Sequence, residues 1–412
     1  MSGIPKGWEQ APLGQVAATQ LGRMLSSRRE TGSNPKPYLR NRDVQWGRIN
    51  TSDLPVMDFD PKDAGKFLLR PGDVLVCEGG EVGRSAIWNG QIAECYYQKA
   101  LHRVRTSPRL LPVFLVYMFE HYARARKFEQ HISGSTIAHL PQEDLRELTV
   151  PLPPVFEQKQ IVEAIEKQFS CLDVGIAALQ SAQKRIGSAR KAILLAAVPE
   201  IWPELWRKVT VAEAGQVTLG RQRAPQFHTG PKMRPYLRVA NVFEDRIDSG
   251  DIMSMHFDDE EFERFRLRPE DILLNEGQSP HLLGRPAMYR GDPPEVAFTN
   301  SLIRFRAGPD VLPAWALLVF RRHMHAKRFM NESQITTNIA HLSAGRFKNV
   351  EFPIPPMDEQ KLIVATVEEK LSEVSRMEAM VDGQLARAER LRSSILAAAF
   401  SGRLVSRGEA AV

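Results

Sequence analysis

The chain repeats itself once, so whatever it folds into must be built twice. Trp8 matches Trp206, Leu21-Gly22-Arg23 matches Leu219-Gly220-Arg221, and Pro37-Tyr38-Leu39-Arg40 matches Pro235-Tyr236-Leu237-Arg238, all at an offset of 198 (206 − 8). The same offset carries Phe67-Leu68-Leu69-Arg70-Pro71-Gly72-Asp73-Val74-Leu75 onto Phe265-Arg266-Leu267-Arg268-Pro269-Glu270-Asp271-Ile272-Leu273, and Glu78-Gly79 onto Glu276-Gly277. Gly83-Arg84 aligns with Gly284-Arg285 at 201 (284 − 83), and Ile137-Ala138-His139-Leu140 with Ile339-Ala340-His341-Leu342 at 202 (339 − 137). Four inserted residues (202 − 198) account for the drift. A period this long means two copies of one domain-sized fold, which also suits a chain of 412 residues, past the size that one core serves.

Each copy changes character at a proline pair, Pro153-Pro154 and Pro355-Pro356. Before it the chain reads as mixed α/β. Arg70-Pro71-Gly72-Asp73 is a turn ahead of the apolar run Val74 to Cys77, Tyr97 to Val104 alternates like another strand, and the glycines of Gly79-Gly80-Glu81-Val82-Gly83 read as hairpin turns. Leu111 to Gln130 and its counterpart Pro313 to Asn331 read as helices. Proline suits the first turn of a helix and not its interior, and the stretch after each pair is helical in period. Ile161, Ile165, Phe169, Leu172, Ile176, Leu179, Ile186 and Ile193 mark one apolar seam; Ile363, Val367, Leu371, Val374, Val381, Leu385, Ala388 and Ile395 mark the other, with Glu378 standing where the first copy has Ile176. Some forty residues make a rod of about 60 Å at 1.5 Å per residue. A single narrow seam needs a partner, and the other copy is the nearest one.

The expected fold class is therefore α+β: two mixed α/β heads in a pseudo-two-fold repeat, joined by two long helices that form an antiparallel coiled coil. The expected boundaries are a head over 1–154, a spacer helix over 155–198, a second head over 199–356, a second helix over 357–405 and a disordered tail over 406–412. Gln183 and Arg190 fall at seam positions, where they either fix register or meet a partner protein; Arg190 recurs as Arg392, and a snorkelling arginine near a helix end is the alternative.

The sequence holds no recognisable catalytic motif. No Gly-Lys-Ser or Gly-Lys-Thr phosphate loop is present, nor a glycine-rich cofactor loop with a base-stacking Asn/Asp-Pro-Pro-aromatic motif; Asp292-Pro293-Pro294-Glu295 ends in a residue that cannot stack and reads as a turn. Glu368-Glu369-Lys370 has nuclease-like spacing but lies on the outer face of the second rod. The ten histidines and the three cysteines, Cys77, Cys95 and Cys171, lack the spacing of a metal site, and the odd cysteine count argues for reduced thiols. The start Met1-Ser2-Gly3-Ile4-Pro5-Lys6 lacks the layout of a signal peptide and no apolar run reaches membrane-spanning length, so a cytoplasmic protein is expected.

What remains is a binder. Net charge is +6, with pI near 9.2, which favours an anionic partner without deciding on one. Basic residues gather in the heads: Arg40, Arg42, Arg103, Arg105, Arg124, Arg126 and Lys127 in the first, and Arg221, Arg223, Arg234, Arg238, Arg304, Arg306, Arg321, Arg322, Lys327 and Arg328 in the second. Such clusters suit phosphates, while Asn41, Gln98, Asn241, Gln278, Asn300 and Asn338 could read base edges. From repeat position and side-chain chemistry the candidate DNA contacts are Arg40, Arg42, Arg84, Ser85, Gln98, Lys99, Ser135 and Thr136 in the first head, and Arg238, Asn241, Arg285, Asn300, Thr337 and Asn338 in the second. The hydroxyl-rich loops could instead be helix caps.

The Phe-x-Leu-Arg-Pro-Gly/Glu-Asp-Val/Ile-Leu turn, the Ile-Ala-His-Leu segment, the proline stop followed by Glu157-Gln158-Lys159 or Glu359-Gln360-Lys361, and the helix after each, in that order and twice over, resemble the specificity subunit of type I restriction-modification systems. The resemblance covers nearly the whole chain. It implies two target-recognition domains, each reading one part of a bipartite, asymmetric double-stranded DNA target, with the helices as a ruler. It also implies a non-catalytic chain that docks two methyltransferase subunits carrying S-adenosylmethionine, joined in the restriction enzyme by two motor-nuclease subunits that use ATP and Mg. Candidate partner contacts are Glu157, Gln158, Arg190, Glu359, Gln360 and Arg392. Two other readings stay open: a coiled-coil scaffold whose heads bind protein or RNA, and the equivalent subunit of a system whose partner fuses methylation and cleavage.

Overall fold

The computed structural model describes residues 5–24, 32–131, 139–331, 334–336 and 339–405. The chain forms two compact units, one of residues 1–180 and 382–412 and one of residues 181–381. Both boundaries fall inside long helices, Val155–Ala197 and Met357–Phe400. Each unit therefore owns one head, the start of one long helix and the end of the other, and that start-against-end pairing is antiparallel.

In the first head an antiparallel sheet runs in the order Ala17–Leu21, Leu101–Thr106, Val74–Cys77, Ser85–Ile87. In the second the order is Gly215–Leu219, Leu302–Ala307, Ile272–Asn275, Pro286–Met288. The strands correspond at the offsets read from the sequence, 198 for the first (215 − 17) and 201 for the last (286 − 85). The run Val74–Cys77 is apolar throughout because both faces of its sheet are covered. Side chains alternate across a strand, so Val74 and Val76 enter the core under the helix Pro112–Arg124, while Leu75 and Cys77 enter a second core with Leu39, Trp88 and Tyr97. Ile272 and Leu274 against Leu273 divide the same way in the second head.

The repeated Arg-Pro-x-Asp turn is explained by its last residue. Asp73 is 1% exposed, accepts the backbone N–H of Arg70 at 2.8 Å and receives both arms of Arg105 at 2.7 Å. Asp271 does the same with Arg268 and with Arg306 at 2.7 and 2.8 Å. One carboxylate thus closes the turn and ties it to the neighbouring central strand of the sheet.

Glu9–Pro12 pairs with Thr149–Leu152, and Arg207–Thr210 with Glu351–Ile354, which draws the start of each head to the foot of its long helix. Gln158 and Gln360 complete the joint. Each is fully buried; Gln158 accepts the N–H of Leu111 and donates to the carbonyls of Arg109 and Pro153, and Gln360 repeats this with Leu312, Asp310 and Pro355.

Several expectations are corrected. The helix expected over Leu111 to Gln130 runs only from Pro112 to Arg124 and is followed by a separate short turn, Lys127–His131; its counterpart breaks into Pro313–His325 and Arg328–Asn331. A left-handed residue ends each helix, Arg126 at φ 55° and Lys327 at φ 59°, and since neither is glycine nothing in the sequence marks the stop. The strand expected over Tyr97 to Val104 is two strands, Tyr96–Tyr97 and Leu101–Thr106, separated at Ala100, φ 84°. Gln183 is exposed and Ala182 holds the seam position. The second helix stops at Phe400 rather than 405, followed by Gly402 at φ 70°. The tail from 406 lies outside the described residues.

The glycine hairpin does connect two antiparallel strands, Val74–Cys77 and Ser85–Ile87. Gly83 sits there at φ 82° with the Phe128 ring where a Cβ would be, and Gly284 at φ 67° meets Phe329 identically. Three of the inserted residues (201 − 198) lie in the matching hairpin of the second head, where Gly277–Gln278 pairs with Ile339–His341, itself paired with Gln334–Thr336.

Candidate nucleic-acid interface

Four passes of backbone meet at one end of the first head. The N–H of Gln98 donates to Leu39 at 3.0 Å, Glu78 to Ala100 at 3.0 Å and Leu140 to Glu78 at 2.8 Å, while Gly79 bridges His139. Asn41 locks the cluster, its amide donating to Gly79 at 2.8 Å and its two oxygens accepting from Arg84 at 3.1 Å. The second head repeats the arrangement: Thr299 donates to Leu237, Glu276 to Ser301 and Leu342 to Glu276. Residues far apart in sequence, 39–42, 78–84, 98–100 and 139–140, are thus gathered on one loop surface, as are 237–241, 276–285, 299–301 and 339–342.

The sequence-derived residues do not fare alike on this surface. Lys99 is exposed, and so is Arg42, at 3.3 Å from Asp53. Arg40 is braced by both oxygens of Asp43 at 2.9 Å, and Arg84 turns inward to Asn41 and Glu81. Gln98 is half-buried. Ser85 is fully buried on its strand and so is removed from any surface. In the second head Asn300 is half-buried, Arg238 is paired with Asp251, and Arg285 lies 4.8 Å from the centre of the Phe243 ring, where burial lowers its pKa. Asn241 is 2% exposed, with its amide donating to Asp248 and Asp251 and its oxygen accepting from Arg238, so it shapes the turn from within. Ser135, Thr136, Thr337 and Asn338 lie outside the described residues. Arg246, which sequence reasoning passed over, is exposed, its guanidinium 4.5 Å from the centre of the same Phe243 ring; its hairpin position, Val242–Phe243 against Arg246–Ile247, was the available signal.

Much of the basic set is internal scaffolding. Besides the Arg105 and Arg306 pairs, Arg103 and Arg304 are buried, Arg221 lies against Phe227 and Phe257 with both arms on Glu261, and Arg321 pairs with Glu244. The candidate partner contacts are similarly engaged. Glu157 accepts from Trp8 at 2.8 Å, Gln158 and Gln360 are buried joints, and Glu359 is half-buried. Arg392 bridges Glu120 and Asp173 at 2.8 Å, and Arg190 pairs with Ser375 and with Glu378 at 3.0 and 2.5 Å. Glu378, the residue that breaks the apolar seam, is there to meet Arg190.

No group of three or more potential metal ligands occurs among the described residues, and none of their helices is long and apolar enough to cross a membrane. Burial pushes the thiols of Cys77 and Cys95 up to about 11 and about 12, which leaves them protonated and unreactive at neutral pH.

The family model "Type I restriction modification DNA specificity domain" matches residues 5–175 and 260–375. The type I restriction enzyme EcoKI specificity subunit of Escherichia coli strain K12 is 25% identical over 99% of this chain and 91% of its own length. The StySPI specificity subunit of Salmonella potsdam is 24% identical over the same shares, 99% and 91%. Among solved structures, a chain from a study of complex assembly and conformational transition of the type I R-M system has a TM-score of 0.73 at 18% identity, over 97% of this chain and 99% of that one. The HsdS subunit of Thermoanaerobacter tengcongensis gives 0.51 at 20% identity, over 97% and 98%.

Proposed function

Since this chain belongs to the type I restriction-modification DNA specificity family, we propose that each of its heads reads one part of a split DNA target through its loop surface. The chain is a non-catalytic, DNA sequence-specificity subunit, and it associates with DNA and with the methyltransferase and restriction subunits of its complex. The observation that carries the finer reading is that both heads gather the same four backbone passes but dress them differently. At matching positions the first presents Arg42 and Lys99 where the second has Ala240 and Asn300, and the second presents Gln278 where the first has Gly80. A common frame with different donors and acceptors suits two different base sequences, hence an asymmetric target.

In this reading the helix pair spaces two half-sites about one duplex turn, or about 34 Å, apart. Two methyltransferase subunits bring S-adenosylmethionine to one adenine in each half-site. Two restriction subunits bring ATP and Mg, and the complex works in the cytoplasm. The test is a double substitution, Arg42→Ala with Lys99→Ala, in the assembled methyltransferase. It should relax one half of the recognised sequence and leave the other unchanged; relaxation of both halves, or of neither, would contradict the assignment of loops to half-sites.

A further inference from the structure

The loop surfaces differ between the heads, but a group of basic residues beside them does not. Lys66 corresponds to Arg264 (264 − 66 = 198), Arg103 to Arg304 (201), Arg105 to Arg306 (201) and Arg146 to Lys348 (202). All eight are cationic. They stand around the outer strand of the four-stranded sheet, Ala17–Leu21 or Gly215–Leu219, between a short helix on one side, Pro61–Phe67 or Asp259–Phe265, and another, Gln142–Glu147 or Ala344–Lys348.

Scaffolding accounts for half of the set. Arg105 and Arg306 hold Asp73 and Asp271. Arg103 donates to the carbonyl of Lys66 at 2.7 Å, and Arg304 to those of Arg264 and Arg266 at 3.4 and 3.2 Å, tying down the end of the short helix. It does not account for Lys66, Arg264, Arg146 and Lys348. Their side chains sit on exposed positions, and for Lys66, Arg146, Arg264 and Lys348 no ion pair occurs among the described residues, apart from the stacking of Arg264 on Phe265.

In the second head these groups open onto a cleft of about 560 Å³ lined by Gln216, Thr218, Arg264, Arg304, Arg306 and Lys348; its one carboxylate, Glu263, is engaged by Arg266 at 3.4 Å. The buried Nε of Arg304, a residue 4% exposed, has no partner among the described residues. In the first head a cleft of about 630 Å³ lies along the same outer strand, lined by Gln20, Arg23, Lys62, Lys66, Phe67 and Lys99; of the four repeated positions Lys66 alone lines it, and it reaches the loop surface at Lys99. Its one carboxylate, Asp63, is paired with Arg23.

We propose that these clefts are phosphate-gripping tracks, one per head, that hold the DNA backbone beside the reading loops without regard to sequence. The inference rests on the DNA-binding reading above. Its particular support is what the repeat keeps. At two of the four positions lysine and arginine have exchanged, so charge is retained while hydrogen-bonding geometry is not; a base edge would need the geometry, whereas a phosphate accepts either cation. Two heads that diverged in what they read have kept what is common to every duplex.

The experiment measures binding of the full chain, assembled with its methyltransferase subunits, to a target duplex and to an unrelated duplex across a salt series. Two variants are compared with the parent, Lys66→Gln with Arg146→Gln and Arg264→Gln with Lys348→Gln; all four sites are exposed, and an unchanged melting temperature verifies the fold. Each lost phosphate contact flattens the slope of log K against log salt by about 0.9, so each double variant should flatten it by about 1.8. Affinity for both duplexes should fall by the same factor. An unchanged slope, or a loss confined to the target duplex, would overturn the proposal. Failure of the parent assembly to bind any duplex would instead overturn the DNA-binding reading beneath it.

Discussion

Replacing Asp271 by alanine removes a carboxylate that is 1% exposed and makes three hydrogen bonds, two from Arg306 at 2.7 and 2.8 Å and one from the Arg268 N–H at 2.8 Å. Deleting one partner of a buried ion pair costs about 3–5 kcal/mol, because the other charge is left behind. The Arg306 side chain retains 29% exposure and can rehydrate in part, which points to the lower end, and the stranded turn N–H adds about 1 kcal/mol. The expected total is about 3–4 kcal/mol. Hydrogen exchange read by mass spectrometry is the suitable assay, since it resolves segments. The opening free energy of Ile272–Asn275 and Leu302–Ala307 should fall by that amount while Val74–Cys77 keeps its protection. The double variant Asp271→Val with Arg306→Met, which removes both charges, should recover most of the loss. A single-variant effect under about 1 kcal/mol, or a double variant as damaged as the sum of its parts, would refute the view that this pair is what the repeated turn motif exists to form.

Gly284→Val combines a left-handed backbone with a side chain placed into the Phe329 ring, so it should destabilise the second head by about 2 kcal/mol or more in urea titration, whereas Gly291→Ala, at a left-handed glycine with more open surroundings, should cost less. His323, buried with its Nε2 against the Glu351 carbonyl, is pushed down to about 4 by burial. Its unfolded form takes up a proton near pH 6.5, so its contribution is intact above that pH and is lost as pH falls from 6.5 toward 4. Stability measured at pH 7.5 and 5 should therefore drop more in the parent than in His323→Gln, and equal drops would contradict it.

The sequence is most legible where the repeat imposes it twice. Offsets of 198, 201 and 202 locate matching strands and helices from residue identities alone, and the long helices follow from seam periodicity after each proline pair. Their register device is half visible: Glu378 stands out as a break in the seam, but only three-dimensional pairing shows it facing Arg190. The stops at Arg126 and Lys327 are invisible because left-handed non-glycine residues have no sequence signature. The candidate interface is legible as a set of loops and poorly so as residues. Ser85 and Asn241 have suitable chemistry, yet strand alternation buries the first and an internal turn consumes the second. Likewise Gln158 and Gln360 stand out through repetition, which in their case marks a buried joint between head and helix and not a surface for a partner.

On the proposed function, two heads on one chain read two different halves of one DNA target. Single-molecule sequencing of DNA from cells that express this chain with its methyltransferase subunit tests it most directly. Methylated adenines should appear in a split motif, one in each of two dissimilar half-sites separated by an unspecified spacer. Two identical inverted half-sites, or unmodified DNA from an assembled complex supplied with S-adenosylmethionine, would contradict it.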